Sequence, residues 1–285
     1  MTTTYLQGND VSPFVLFGTV IGVSAPICVR NINYCLRHRS HWHKVKILKS
    51  AMAFFMLLKS CLVVAQEVPN GASCKALGRF GDVFYQFSVT LGDAVVLERI
   101  TEVVPWKLRA RIGHCIAILI RLIIGMVDVP LASVYLSFEG GPCVYKDQPV
   151  VGALYTSLDT AISLYATIMT FLVLTWEMRK REQEGSIPVH RYHYITIVAR
   201  YTAPVFCLTV VNMIGTIGNG SSVHNLYYVP LVETVWPIVN LLFVALIGYD
   251  IDLCKVIRAM HIQDKQTTVY DEALAPDLLY TPSPL

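Results

Sequence analysis

Charge is scarce in this chain. Only 15% of its 285 residues are charged, against 54% apolar residues and a mean hydropathy of +0.51. Soluble domains carry about 25% charged residues. A water-soluble fold of this length would lack the charge to cover its surface, and a disordered chain would hold far fewer apolar residues. An excess of one sign is missing as well. The 23 basic and 20 acidic residues leave +3, too balanced for a nucleic-acid partner. Eight cysteines include no CxxC pair and no ligand-spaced cluster, which removes the thiol-redox and zinc-finger readings. The polar connectors are short, so no soluble catalytic domain fits between the apolar runs.

Other absences narrow the chemistry. All eight histidines (His38, His41, His43, His114, His190, His193, His224 and His261) fall in connectors, the tail or at the ends of apolar runs. A haem buried between helices needs axial ligands at depth, and a membrane zinc hydrolase needs a buried His/Asp set. The spaced pairs in His41-Trp42-His43 and His190–His193 read as interfacial residues beside aromatic anchors. The last apolar run has no lysine to bind retinal, and no Gly-rich phosphate loop or nucleophile motif occurs. The expectation is a protein that is not an enzyme, with no catalytic residues, no metal and no cofactor.

What the chain does have is apolar runs. A membrane-crossing helix needs about 20 mainly apolar residues. Seven stretches qualify: 13–29, 47–66, 80–97, 115–138, 150–176, 194–218 and 229–248. The third is the least apolar, holding Asp82 and Asp93. Residues 1–12 carry no positive charge and the basic residues follow the first run, unlike a secretory signal. Of the 23 Lys and Arg, seventeen lie at one set of alternate connectors and the tail, three at the other set, and Lys59, Arg121 and Arg200 within spans. Basic connectors stay in the cytosol. The expected architecture is therefore all-α: a seven-transmembrane helix bundle with its N-terminus outside and its C-terminus cytosolic. The segments are a short extracellular N-terminus (1–12), the helical domain (13–249), an inner-surface amphipathic helix (250–262) and a disordered cytosolic tail (263–285). Localisation follows as a multi-pass integral protein of the plasma membrane or an endomembrane, with lipid as an obligatory partner and no nucleic acid.

This orientation sorts the remaining features. The one glycosylation sequon, at Asn219, falls in an outer loop. Only Cys74 and Cys143 lie outside, where oxidation occurs, so these two are expected to pair. After Tyr249, Leu253, Val256, Ile257 and Met260 share one helical face, with Lys255 and Arg258 opposite, the pattern of a surface-lying helix. Cys254 there is a palmitoylation candidate, against the alternative of an unmodified cytosolic thiol. The Pro-rich end, 271–285, offers short motifs to a cytosolic tail-binding protein.

Ionisable groups at bilayer depth face a partner or a cavity. From estimated depths along the spans, Lys59 is expected to pair with Asp82 and Arg121 with Asp93. Lys59, Asp82, Asp128, Asp159 and Glu233 either line an outward-facing ligand cavity or hold helices together through hydrogen bonds. Pro130, Pro204 and Pro237 interrupt the fourth, sixth and seventh spans, and the latter two are candidate hinges.

One stretch resembles a known superfamily. Glu98-Arg99-Ile100 at the inner end of the third span is similar to the acidic–Arg–aromatic triplet of rhodopsin-like G-protein-coupled receptors, with Ile100 in the aromatic's place. Pro105 follows in the next loop, and Cys74 precedes Arg99 by 25 residues, as that family's disulfide cysteine does. The resemblance covers 74–105. Elsewhere the chain differs: Lys59 stands where the second span has an Asp, the fourth lacks its Trp, the sixth has Tyr201-Thr202-Ala203-Pro204, and the seventh ends without Asn-Pro before Tyr249. The resemblance implies that Glu98 restrains Arg99 until activation releases it toward a heterotrimeric G protein. It also implies that Cys74–Cys143 clamps an outer vestibule and that Asp82 faces the ligand. The expected function is a receptor for an outer ligand of unknown identity. The alternatives are a membrane scaffolding protein acting through its tail and a small-solute transporter or channel.

Overall fold

The computed structural model describes residues 11–37, 44–66, 74–104, 106–136, 143–183 and 229–248, with short pieces at 206–207, 209–210 and 213–214. These residues form six helices and one hairpin: α1 (Val11–Arg37), α2 (Lys44–Gln66), α3 (Cys74–Val103), α4 (Lys107–Leu131), β1 (Ser133–Leu136), β2 (Cys143–Lys146), α5 (Pro149–Gln183) and α6 (Val229–Gly248). Four of them, α1, α2, α4 and α5, are long and apolar enough to cross a membrane. The chain is thus helical and of multi-pass membrane type. Most of the expected sixth span, with Pro204, lies outside the described residues, as do Asn219, Cys254 and the tail.

The distribution of polarity identifies the solvent. On α4 the large side chains Ile112, Ile116, Leu119, Ile120, Ile123 and Val127 are exposed, while His114, Arg121 and Asp128 are buried. Residues 114, 121 and 128 recur every seven positions and so share one face. A helix built for water places its apolar stripe inward. Here the stripe faces out and the charges face in, which is stable only if hydrocarbon surrounds the bundle.

Helix α3 is not among the four apolar helices, and its surroundings are protein. It touches α2, α4, α5, α6 and both strands, so neighbouring helices enclose it instead of lipid. Asp82, Gln86, Ser88 and Asp93 are all buried on it. Ser88 Oγ donates to the Met52 carbonyl of α2 at 2.9 Å. The main apolar core joins Val20 and Ile27 of α1, Met52 and Met56 of α2, Tyr85 and Val89 of α3, Tyr155 of α5, and Phe243 and Ile247 of α6.

Several boundaries differ from expectation: α1 runs on to Arg37, α4 starts at Lys107 and α5 runs on to Gln183. The fourth span stops at Leu131, not at Phe138, and 133–136 form a strand. Pro130 is the reason: it has no N–H for the carbonyl one turn back, and Ala132 is already extended, at φ −61° and ψ 141°. Pro130 therefore ends the helix and does not kink its middle. The strands pair antiparallel, Ser133 opposite Lys146 and Leu136 opposite Cys143. The third helix starts six residues early, at Cys74.

Gly92 sets the approach of α3 to α6, because a Cβ there would run into the Phe243 ring and lie 3.1 Å from Ile247 Cδ1. Gly92→Val is expected to lower unfolding stability in detergent by about 1–3 kcal/mol. Gly18→Ala, where nothing lies within 4 Å, is expected to leave it unchanged or raise it slightly. Equal melting of the two variants would contradict this packing.

Candidate functional site: a buried charged network under the hairpin

The site is assembled from faces of three helices and the hairpin. Helix α3 presents Asp82 and Gln86 one turn apart, α4 presents Arg121 and Asp128 two turns apart, and α5 presents Tyr155 and Asp159 one turn apart. Cys74 and Cys143 are joined, with Cα atoms 5.6 Å apart, as their outer placement predicts. The bond ties β2 to the first turn of α3. Gly78 lets the hairpin settle there, since a Cβ would lie 3.0 Å from Val134 and 3.3 Å from Tyr145. Tyr145, Asp147 and Gln148 are thereby carried to the three helices.

Arg121 is the hub, with none of its side chain exposed. Its Nε donates to Asp159 Oδ1 at 2.6 Å and its Nη2 to Asp159 Oδ2 at 3.0 Å, a bidentate pair. Its third nitrogen, Nη1, donates to Gln86 Oε1 at 2.5 Å. Gln86 Nε2 then donates to Asp82 Oδ1 at 3.0 Å. The guanidinium also lies over the Tyr155 ring, 5.0 Å from its centroid. Gly125 keeps the crossing open, because a Cβ there would strike the Gln86 amide and the Arg121 guanidinium.

Above this hub, carboxylate oxygens of Asp82, Asp128 and Asp147 lie within 4.8 Å of one another. Tyr155 Oη donates to Asp147 Oδ2 at 2.8 Å, and the Gln148 amide donates to Asp128 Oδ1 at 3.0 Å. Lys59 lies close enough to Asp82 and Asp147 to feel both charges. Three carboxylates this close do not all stay ionised away from water without a proton or a cation among them. They are also the described side chains that could hold a metal ion, as a hard, oxygen-only set.

The structure corrects both expected ion pairs. Arg121 pairs with Asp159, not with Asp93, which lies buried beside that pair. Asp159 sits on a neighbouring helix where both its oxygens meet the flat guanidinium. Lys59 forms no hydrogen bond with Asp82. Its Nζ lies over the rings of Phe17 and Tyr85, 5.2 and 5.0 Å from their centroids. Of the expected cavity residues, Asp82 and Asp128 have carboxylate oxygens within 4.8 Å of each other, and Asp159 is linked to Asp82 through Arg121 and Gln86. The Glu233 side chain lies outside the described residues, and Pro237 is within α6. At the opposite end of α3, Glu98 pairs with Arg111 of α4 at 3.3 Å, and Arg99 is half-exposed.

Sequence reasoning missed Gln86, Asp147 and Tyr155. Gln86 had a signal, being one turn from Asp82. Asp147 had one too, as the carboxylate between an outer cysteine and the start of the fifth span.

Burial pushes the Asp147 carboxyl above the ordinary carboxylate range, and Tyr155, Asp128 and Lys59 pull it back. A carboxyl raised on folding contributes stability below its unfolded value, and that stability is lost as pH rises through the folded one. Melting temperature is therefore expected to fall as pH rises from about 4 toward neutrality, and Asp147→Asn is expected to flatten that fall. An unchanged pH profile in the variant would show that Asp147 is not the group responsible. Neither the family models nor the curated proteins contain a match to this chain.

Proposed function

We propose that the chain is an integral-membrane receptor of the G-protein-coupled type, sensing an outer ligand and signalling through its inner loops to a heterotrimeric G protein. One observation carries this reading: an unbroken contact path from the disulfide-anchored hairpin into the middle of the bundle. It runs from Asp147 to Tyr155, from the Tyr155 ring to Arg121, and from Arg121 to Asp159 on one side and through Gln86 to Asp82 on the other. A ligand that shifts the hairpin or changes the charge beneath it alters how α3, α4 and α5 are held together. The far ends of α3 and α4 carry Arg99, Lys107, Arg109 and Arg111, the basic surface that positive-inside sorting assigns to the cytosol. A disulfide forms on the oxidising side, so the two ends are assigned opposite faces by independent arguments. The seven-span count, the outside N-terminus and the switch role of Arg99 belong to this proposal, with Glu98 engaging Arg111 in this state.

The test is nucleotide exchange on purified heterotrimeric G proteins by the protein in phosphatidylcholine bilayers, with and without fractionated extracellular extracts. Exchange is expected to rise with a fraction and to be lost in Arg99→Ala. Equal exchange in every arm, with no effect of Arg99→Ala, would overturn the reading. The same row of carboxylates favours a second reading, a small-solute transporter or channel. Solute flux into liposomes that Asp128→Asn suppresses, without any exchange activity, would select it.

A further inference from the structure

At the end of the bundle away from the disulfide, α3, α4 and α5 part to leave a cleft of about 570 Å³. Its wall is mostly apolar, with Leu97 from α3, Gly113 and Ala117 from α4, and Ile162 from α5. The polar side chains His114 and Tyr165 are already engaged. His114 Nε2 is 3.1 Å from Tyr165 Oη, and Nδ1 is 2.9 Å from Thr101 Oγ1. The interior therefore suits hydrocarbon and offers little to a polar solute.

The mouth has the opposite chemistry. It is rimmed by Trp106, 57% exposed, and by Arg109. Arg111 is taken by Glu98, but Arg109 and Lys107 form no ion pair among the described residues. Trp106 is the N-cap of α4 and gives its first turn no side-chain hydrogen bond. The first amides of a helix and its dipole favour an anion at that end. An indole at a helix end marks the membrane–water interface.

The length of the cleft fits one leaflet. From Trp106 to Ala117 is eleven residues, or about 16 Å at 1.5 Å per residue. Half of the hydrocarbon core of a bilayer is about 15 Å. An apolar slot one leaflet deep, opening at cations that have no ion pair among the described residues, on the basic side of the membrane, is complementary to an anionic amphiphile of the inner leaflet.

We propose that this cleft is a specific site for an anionic phospholipid, one acyl chain lying along Gly113 and Ile162 and the headgroup phosphate held by Arg109 and the first turn of α4. The site depends only on the membrane reading and is independent of receptor activity.

The test uses the purified full chain in phosphatidylcholine bilayers. Increasing fractions of phosphatidylserine or of further phosphatidylcholine are added, each with brominated acyl chains. The Trp106 signal is the fluorescence of the wild type less that of Trp106→Phe. Half-quenching is expected at a phosphatidylserine fraction about five-fold lower than for phosphatidylcholine, the preference that one basic side chain near a membrane surface confers. Arg109→Gln is expected to abolish the preference while Trp106 stays quenchable by both lipids. Gly113→Leu projects into the slot from a position where a Cβ would meet nothing within 4 Å, and is expected to protect Trp106 from either lipid. If Gly113→Leu does not fold, Ala117→Leu fills the same slot. Equal quenching by the two lipids in the wild type would overturn the proposal. So would a preference that survives both Arg109→Gln and the slot-filling variant, which would show the site to be elsewhere.

Discussion

Arg121→Leu is expected to be the most damaging single substitution in the described bundle. It removes the cation but leaves the Asp159 carboxylate and the Gln86 carbonyl buried without donors. Breaking a buried ion pair by deleting one partner costs about 3–5 kcal/mol, because the remaining charge is stranded. Removing both charges is a different case. A well-packed apolar pair in place of a buried ion pair is often neutral or stabilising. Arg121→Leu combined with Asp159→Leu is therefore expected to recover at least half of the loss. Asp93 tempers that recovery, since it lies beside the pair and also feels Arg121. Equilibrium unfolding in mixed micelles, run as a double-mutant cycle, measures the coupling. A single-variant cost below about 1 kcal/mol, the range of an exposed pair, would show that the guanidinium reaches water and that the hub does not exist.

The second large effect is expected from the disulfide. Cys74 and Cys143 are 69 residues apart in sequence, and closing a loop of that length stabilises by about 4 kcal/mol in the chain-entropy account. In a bilayer the unfolded chain keeps much of its helix, so the expected loss for Cys74→Ser or Cys143→Ser is about 2–4 kcal/mol. The double variant is expected to lose no more than either single one, since one bond is removed in all three. The loss has a local signature. Val134 and Tyr145 pack on Gly78 only while β2 is tied to α3, so amide protection across 133–147 is expected to fall before the rest of α4 and α5 opens. Identical protection with and without reductant would contradict the anchoring role.

Much of the fold was legible in the sequence, because lipid imposes a simple length-and-polarity rule on each helix. Even α3, with two aspartates and weak hydropathy, was recognisable as a helix. What was not legible was which way its aspartates face and how deep Arg121 sits. Depths counted from the expected span ends put Asp93 level with Arg121 and Asp159 farther out. Helix α4 begins at Lys107, eight residues before the expected start at 115, so Arg121 lies deeper than that count and reaches Asp159. The Lys59 error has a different cause. A lysine at this depth was matched to the nearest opposite charge, but the faces of Phe17 and Tyr85 also attract an ammonium, and pairing by charge alone overlooks them. The cysteine pairing was legible because orientation left only two outer thiols. The hairpin was not, because the apolar alternation of 133–136 continues the fourth span without a break until Pro130 is given its weight as a terminator.

The proposed orientation puts the hairpin and the Trp106 rim on opposite faces of a membrane. Lys146→Cys and Arg109→Cys, expressed separately and labelled on intact cells with a membrane-impermeant maleimide, test this most directly. Lys146→Cys is expected to label at once and Arg109→Cys only after permeabilisation. Immediate labelling at both positions, or the reverse order, would contradict the account.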